Sequence, residues 1–367
     1  MQSVERRYLR FLGSYSEARR SRPTPRPGRT PMFRPTRSVR HAVAVGLGAS
    51  LVALTACAGA SGSDATDAAS ASDTVGMGIQ PWLGYGPWYI AQEKGYFDDQ
   101  GVDVTITNFM NDADMSAAFA SDRIQMANAA SHSALQLVEQ GLDISIVLLL
   151  DASLTADAIL TDGSITDVAD LAGQNIAFEE GSVSNLLLGY ALEESGLSLD
   201  DITPVPMDPS EAATALIGGS VPAAVTYEPY ISEASKAGDF EVIFTAAEKA
   251  GLISDVLVVD NGYLQENPDA VQKVVNAWGP AIEFYRSDTD EARSIIAENV
   301  GSDVDALATA FDGIEFYSLE ENKTRFGGDY FQSVLPTVQD VATQIGLLEG
   351  GADLDSLVDD SFVEAAS

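Results

Sequence analysis

The chain has 367 residues, 46% of them hydrophobic, which is enough for a sizeable core and two or three domains. It carries 55 acidic against 20 basic residues, and 11 of those basic residues lie in the first 56 positions beside only two glutamates, so the remainder holds a net charge of roughly −44. A body of that sign repels phosphate backbones and anionic headgroups, which argues against nucleic-acid binding, and one cysteine, Cys57, leaves no disulfide framework and no cysteine metal site within the chain.

Arg34, Arg37 and Arg40 precede an apolar run over 42–56 that is too short to span a bilayer comfortably. A basic region, a short apolar stretch and small residues together read as a secretory signal over 1–56. Met32 is a candidate start, because the stretch before it is only arginine- and proline-rich. The twin Arg19-Arg20 lacks the surrounding pattern of a twin-arginine signal, so the export route stays open. The signal ends in Leu54-Thr55-Ala56-Cys57, which resembles the lipobox of bacterial lipoproteins. That resemblance implies lipidation of Cys57, with the mature chain on the outer face of the cytoplasmic membrane, the periplasmic side in a two-membrane envelope. Residues 57–73 are mostly Ala, Gly, Ser, Asp and Thr, a composition that buries no core and reads as a flexible linker.

Strand and helix patterns alternate from residue 74 onward. Strands are expected over 75–79, 102–108, 126–129 and 144–150, and helices over 87–94, from a cap at Asp112 or Asp114 to 121, and from Ser131 to Gly141. A second set follows, with strands over 158–161, 175–178, 202–205 and 223–226 and an extended piece over 242–244. Its helical segments are a turn over 167–171 and helices over 182–194, 209–217 and 229–237. A strand over 255–259 returns the chain to the first sheet, and the rest reads as mainly helical. Asn267-Pro268 caps a long helix that Pro280 is expected to kink or break. The alternation predicts an α/β fold with mostly parallel sheets.

Three stretches resemble the nitrate/sulfonate/taurine and thiamine-precursor group of solute-binding proteins. They are Gly84-Tyr85-Gly86-Pro87-Trp88-Tyr89-Ile90-Ala91-Gln92-Glu93-Lys94-Gly95-Tyr96-Phe97, the run from Ile165 to Ala177 followed by Glu180-Gly181-Ser182, and Val225-Thr226-Tyr227-Glu228-Pro229-Tyr230. The resemblance implies a two-lobe type II periplasmic-binding-protein fold, with two crossover strands and a ligand in the interlobe cleft. It sets lobe 1 at 74–153 and 257–367 and lobe 2 at 154–256. It also implies a monomer that delivers its solute to an ABC permease.

Ligands of open α/β sheets sit at strand carboxyl ends against helix N-termini. Those loops hold Gln80, Trp82, Tyr85 and Trp88; Ser131 and His132; Asp151 and Ser153; Glu179, Glu180, Ser182, Ser184 and Asn185; and Tyr227, Glu228 and Tyr230. Asp255 opens the returning strand. Several have a structural reading too: Ser182 as an N-cap, His132 as a backbone partner, and one of Trp88 and Tyr89 as core. No Lys or Arg occurs between Ile124 and Ser235, whereas Asp151, Glu179, Glu180 and Glu228 supply negative charge. Aromatic rings beside carboxylates suit amines and nitrogen heterocycles. A neutral, cationic or zwitterionic solute is therefore expected, such as an amine, an aminopyrimidine or an amino-sulfonate. A solute sensor or scaffold is an alternative, and so is a thiamine-precursor enzyme of the same fold. Against an enzyme, the mature chain has His132 as its one histidine and no P-loop, zinc spacing or Gly-x-Gly-x-x-Gly, so neither cofactor nor metal is expected.

Overall fold

The computed structural model describes residues 73–366, so the readings of a leader, of lipidation at Cys57 and of the linker up to residue 72 lie outside the described residues. Eleven strands form two sheets. The first contains β1 (Asp73–Ile79), β2 (Val102–Asn108), β3 (Met126–Ala130), β4 (Ile144–Ser153), β10 (Ser254–Asp260) and β11 (Ile314–Phe316), in the order β11-β4-β10-β3-β1-β2. The second contains β5 (Asp157–Thr161), β6 (Asn175–Phe178), β7 (Thr203–Pro206), β8 (Ala223–Tyr227) and β9 (Glu241–Thr245), in the order β7-β6-β8-β5-β9. This is the α/β two-sheet fold of periplasmic binding proteins.

The sheets are mixed rather than mostly parallel. β1 pairs in parallel with β2 and β3, but β10 runs antiparallel to both β3 and β4. In the second sheet β6 is parallel to β7 and β8, while β5 is antiparallel to β8 and β9. The cause is the double crossing between sheets. The chain leaves the first sheet at the carboxyl end of β4 and enters the second at the amino end of β5, both on the side where the sheets meet. On its return it enters at the amino end of β10. A strand that starts at this junction opposes those that end there.

β4 is buried along its whole length and reads as a continuous apolar run because both its faces are covered. In the second sheet the period-two pattern gives each face its own apolar cluster. Ile159, Ile176, Phe178 and Val225 fill one face, while Ala158, Ala177 and Ala224 lie on the other, against Ala212 and Leu216 of the Pro209–Ile217 helix. The first lobe is centred on Trp88 and Trp278, both fully buried, with ring centroids 4.7 Å apart. Trp278 Nε1 donates to the Tyr317 carbonyl at 2.7 Å.

Two local expectations fail for physical reasons. The Pro268–Ser287 helix is not broken at Pro280 but runs through it. Its buried stripe of Val271, Val274, Trp278, Ala281 and Ile282 holds both halves on one core and offsets the lost backbone hydrogen bond. The Asp112–Ala120 helix is capped by Asn111, whose Oδ1 accepts from the Asp114 N–H at 2.8 Å, rather than by either aspartate. Asp112 instead accepts from the Ser133 hydroxyl at 2.9 Å. Among the described residues no helix is long and apolar enough to cross a membrane.

Trp278→Ala is expected to cost about 3–5 kcal/mol, because it removes a fully buried ring and strands the Tyr317 carbonyl. The check is a urea titration, where the midpoint should fall with little change in slope. A midpoint within error of the parent would contradict this account of the core.

Candidate ligand-binding cleft

The junction of the two sheets holds a small, partly open cavity. Gln80, Trp82 and Tyr85 close it from the loop after β1, Asp157 and Tyr227 from β5 and β8, and Asp255 from β10. Its volume of about 20 Å³ for the centre of a water-sized sphere suffices for one small polar group. Outside it, Asp112, Glu180 and Gly181 edge a broad groove of about 720 Å³.

Carboxylates dominate the walls, and the double crossing gathers them. Asp151 at the end of β4 lies directly opposite Asp255 at the start of β10, and Asp157 begins β5. All three are buried. Trp82 Nε1 donates to Asp151 Oδ1 at 3.2 Å, and the Tyr85 hydroxyl donates to Asp255 Oδ1 at 3.1 Å. Gly84 makes this approach possible. A Cβ there would stand 2.1 Å from Trp82 Nε1 and 2.4 Å from Asp151 Oδ2.

Burial pushes the Asp157 carboxyl up to about 8 and Asp255 up to about 7. Asp151 is held well above the carboxylate range by burial and then by the charge of Asp255. Glu179 is raised to about 8 by burial and by nearby Asp112, itself raised by burial.

Several contacts bridge the cleft. The Asp112 backbone N–H donates to Glu179 Oε1 at 3.0 Å, and the rings of Trp82 and Tyr227 meet edge to face at 5.8 Å. His132 opens the Ser131–Glu139 helix with its ring beside the backbone of Gly181 and Ser182, and burial holds it down to about 4. Ser182 caps the Val183–Glu194 helix, accepting from the Ser184 N–H at 3.1 Å and donating to the Glu179 carbonyl at 3.0 Å. Asn185 Oδ1 accepts from the Gly181 N–H at 3.1 Å.

Of the residues picked out in the sequence, the cavity collects Gln80, Trp82, Tyr85, Tyr227 and Asp255. The Tyr230 ring lies tilted against that of Tyr227, centroids 5.5 Å apart, and Ser153 is buried beside Asp157. Others are elsewhere. Trp88 sits in the lobe core, with Nε1 donating to Asn128 Oδ1 at 2.7 Å. The Ser131 hydroxyl is used by the Ser254 carbonyl at 2.8 Å and the Tyr330 hydroxyl at 2.8 Å. Glu228 accepts from the Ser232 N–H at 3.0 Å and lines a separate groove with Thr155 and Lys236. Glu180 is exposed. Ser184 Oγ and Asn185 Nδ2 are buried with no hydrogen-bond partner. Sequence reasoning missed Asp157 altogether and read Asp112 only as a cap. The available signal was an aspartate starting a fully apolar strand, Ala158-Ile159-Leu160, just after a crossover.

A profile of the family described as NMT1/THI5 like matches residues 83–292. The chain belongs to this family. A Bacillus subtilis protein named for aliphatic-sulfonate binding is 29% identical over 232 residues, covering 61% of this chain and 69% of that protein. The yeast 4-amino-5-hydroxymethyl-2-methylpyrimidine phosphate synthase THI13 is 26% identical over 228 residues, covering 58% of this chain and 66% of the synthase. Among solved structures, the alkanesulfonate-binding protein SsuA of Xanthomonas axonopodis pv. citri bound to MOPS superposes with a TM-score of 0.67. It shares 20% identity and covers 78% of this chain and 98% of its own. That likeness establishes the fold.

The raised carboxylates have a consequence for stability. Asp255 at about 7, with Asp157 and Glu179 at about 8, retain protons that the unfolded chain gives up near pH 4. The folded state binds more protons over that interval, so its stability is full at low pH and is lost as pH rises through 7 to 8. His132 has the opposite sign, but only below its ordinary value of 6.5. The melting temperature is therefore expected to fall from about pH 5 upward and to level off above about pH 8, and Asp157→Asn to remove part of that fall, at roughly 2–4 °C per kcal/mol. A variant with the parent's pH slope would mean that Asp157 ionises as a surface carboxylate does.

Proposed function

We propose that this protein is the solute-binding subunit of an ABC-type importer, capturing a small nitrogen- or sulfur-containing organic molecule between its lobes and delivering it to a membrane permease. The observation that carries this reading is the cavity at the junction of the sheets, walled by Trp82, Tyr85 and Asp255 from one side and Asp157 and Tyr227 from the other. Lobes 74–153 with 257–367 and 154–256 close on the solute by hinge motion at the two crossings. The names of the sulfonate-binding relatives support a binding role. A lipid on Cys57 holds the body at the outer face of the membrane.

The synthase relative raises catalysis as a second reading. His132 is the one histidine among the described residues, and burial keeps its ring neutral and poorly basic. We assign capture, and no chemical step, to the cleft.

A thermal-shift screen of amines, aminopyrimidines, sulfonates and inorganic anions tests the role. A solute at 100 times its Kd adds about 2.7 kcal/mol, and solution scattering should record a more compact particle with it. Tyr227→Ala should weaken the response about tenfold or more, through loss of a cavity wall. Absence of any stabilising small molecule would count against solute capture. Cys57→Ala is expected to move the protein from the membrane to the soluble fraction; retention at the membrane would rule out the anchor.

A further inference from the structure

We propose that the cleft selects organic cations: a primary ammonium head group seated between the Asp157 and Asp255 carboxylates, among the rings of Trp82, Tyr85 and Tyr227. This deepens the solute-capture reading above and rests on it.

The chemistry of the walls points one way. Asp112, Asp157 and Asp255 line the cavity, with Asp151 and Glu179 directly behind them. An ionised carboxylate only accepts hydrogen bonds, so the solute has to bring donors. No Lys or Arg lies between Ile124 and Ser235 to balance these groups. The cations Lys94, Arg286, Arg293 and Arg325 are engaged with Glu291, Glu321, Asp312 and Glu315 outside the cavity. A sulfonate offers three acceptor oxygens and no donor.

An unpartnered group at the same place independently indicates a ligand. Tyr227 lines the cavity and is 4% exposed, and its hydroxyl has no hydrogen-bond partner. A buried polar atom left without a partner is costly, and an ammonium N–H can supply one. The aromatic rings add cation–π attraction in a site shielded from water. Size agrees, since about 20 Å³ of space for a sphere centre takes one water-sized group, the dimension of an ammonium. Among the described residues no group of three or more His, Cys, Asp or Glu side chains is arranged to hold a metal ion.

The same carboxylates make capture compete with protons. Protons occupy the buried acids of the closed empty cleft, and an ammonium displaces them. Amine binding should thus release protons and tighten as pH rises, while anion binding would do the reverse.

The test is isothermal titration calorimetry on the purified protein with ethanolamine, putrescine and benzylamine, against ethanesulfonate and benzenesulfonate as anionic counterparts. We expect at least one amine to bind more tightly than either sulfonate. Its affinity should rise about tenfold between pH 6.5 and 8.0, with buffer-dependent heats that report proton release. Asp157→Asn and Asp255→Asn, both isosteric, should each weaken the amine at least tenfold, and the pH series on the unaltered protein stands without them. Tighter binding of a sulfonate would overturn cation selection and leave solute capture standing. So would amine binding that ignores pH and both substitutions, or a response to Ca2+ or Mg2+ with none to amines. Silence towards all amines and sulfonates at millimolar concentration would overturn the inference and weaken solute capture with it.

Discussion

Burying several carboxylates side by side without a matching cation is the constraint around which this molecule is organised. Asp151 and Asp255 face each other across β4 and β10, and Asp157 starts β5. Burial disfavours the charged form of each, and the charge of Asp255 raises Asp151 further. A core made only for stability would place apolar residues here. The structure tolerates these groups because protons neutralise them and because Trp82 and Tyr85 donate hydrogen bonds to two of them. Gly84, with no Cβ, allows the loop to come that close.

The crossings that gather these groups are also where the lobes articulate. Each lobe has its own apolar core. Trp88 and Trp278 centre one, while Ile159, Phe178 and Val225 anchor the other. Across the cleft run a backbone-to-Glu179 hydrogen bond, an edge-to-face aromatic pair and the ring of His132 against the Gly181–Ser182 turn, and Leu186, Ala213 and Tyr230 pack against the first lobe's core. Two bodies, each with an apolar core, suit an opening motion that turns at the crossings. The electrostatic term acts on that motion, because closing an empty, ionised cleft buries charge and a bound cation removes the penalty.

The surface extends the same logic outward. A body with roughly 44 excess negative charges attracts small cations and repels phosphates. The broad groove outside the cavity carries Asp112, Glu139, Glu180 and Glu349, so the approach to the site has the sign of the site itself.

Much of this was legible along the chain. The order of strands and helices, the caps at Ser182 and after Asn267, and the aromatic loop after β1 follow from short-range rules of periodicity and hydrogen bonding. The absence of Lys and Arg between Ile124 and Ser235 set the sign of the cleft. Strand direction in the mixed sheets was not legible, because it depends on where the chain crosses between lobes. Nor was the fate of individual side chains. Trp88 turned into the core, Glu228 faced another groove, and Asp157 came forward as a cavity wall. Sequence by itself determined the α/β class, the element order and the acidic character of the site. Only tertiary structure decided which carboxylates meet, because Asp151 and Asp255 are separated in sequence by the whole second lobe and become neighbours only when β10 inserts beside β4.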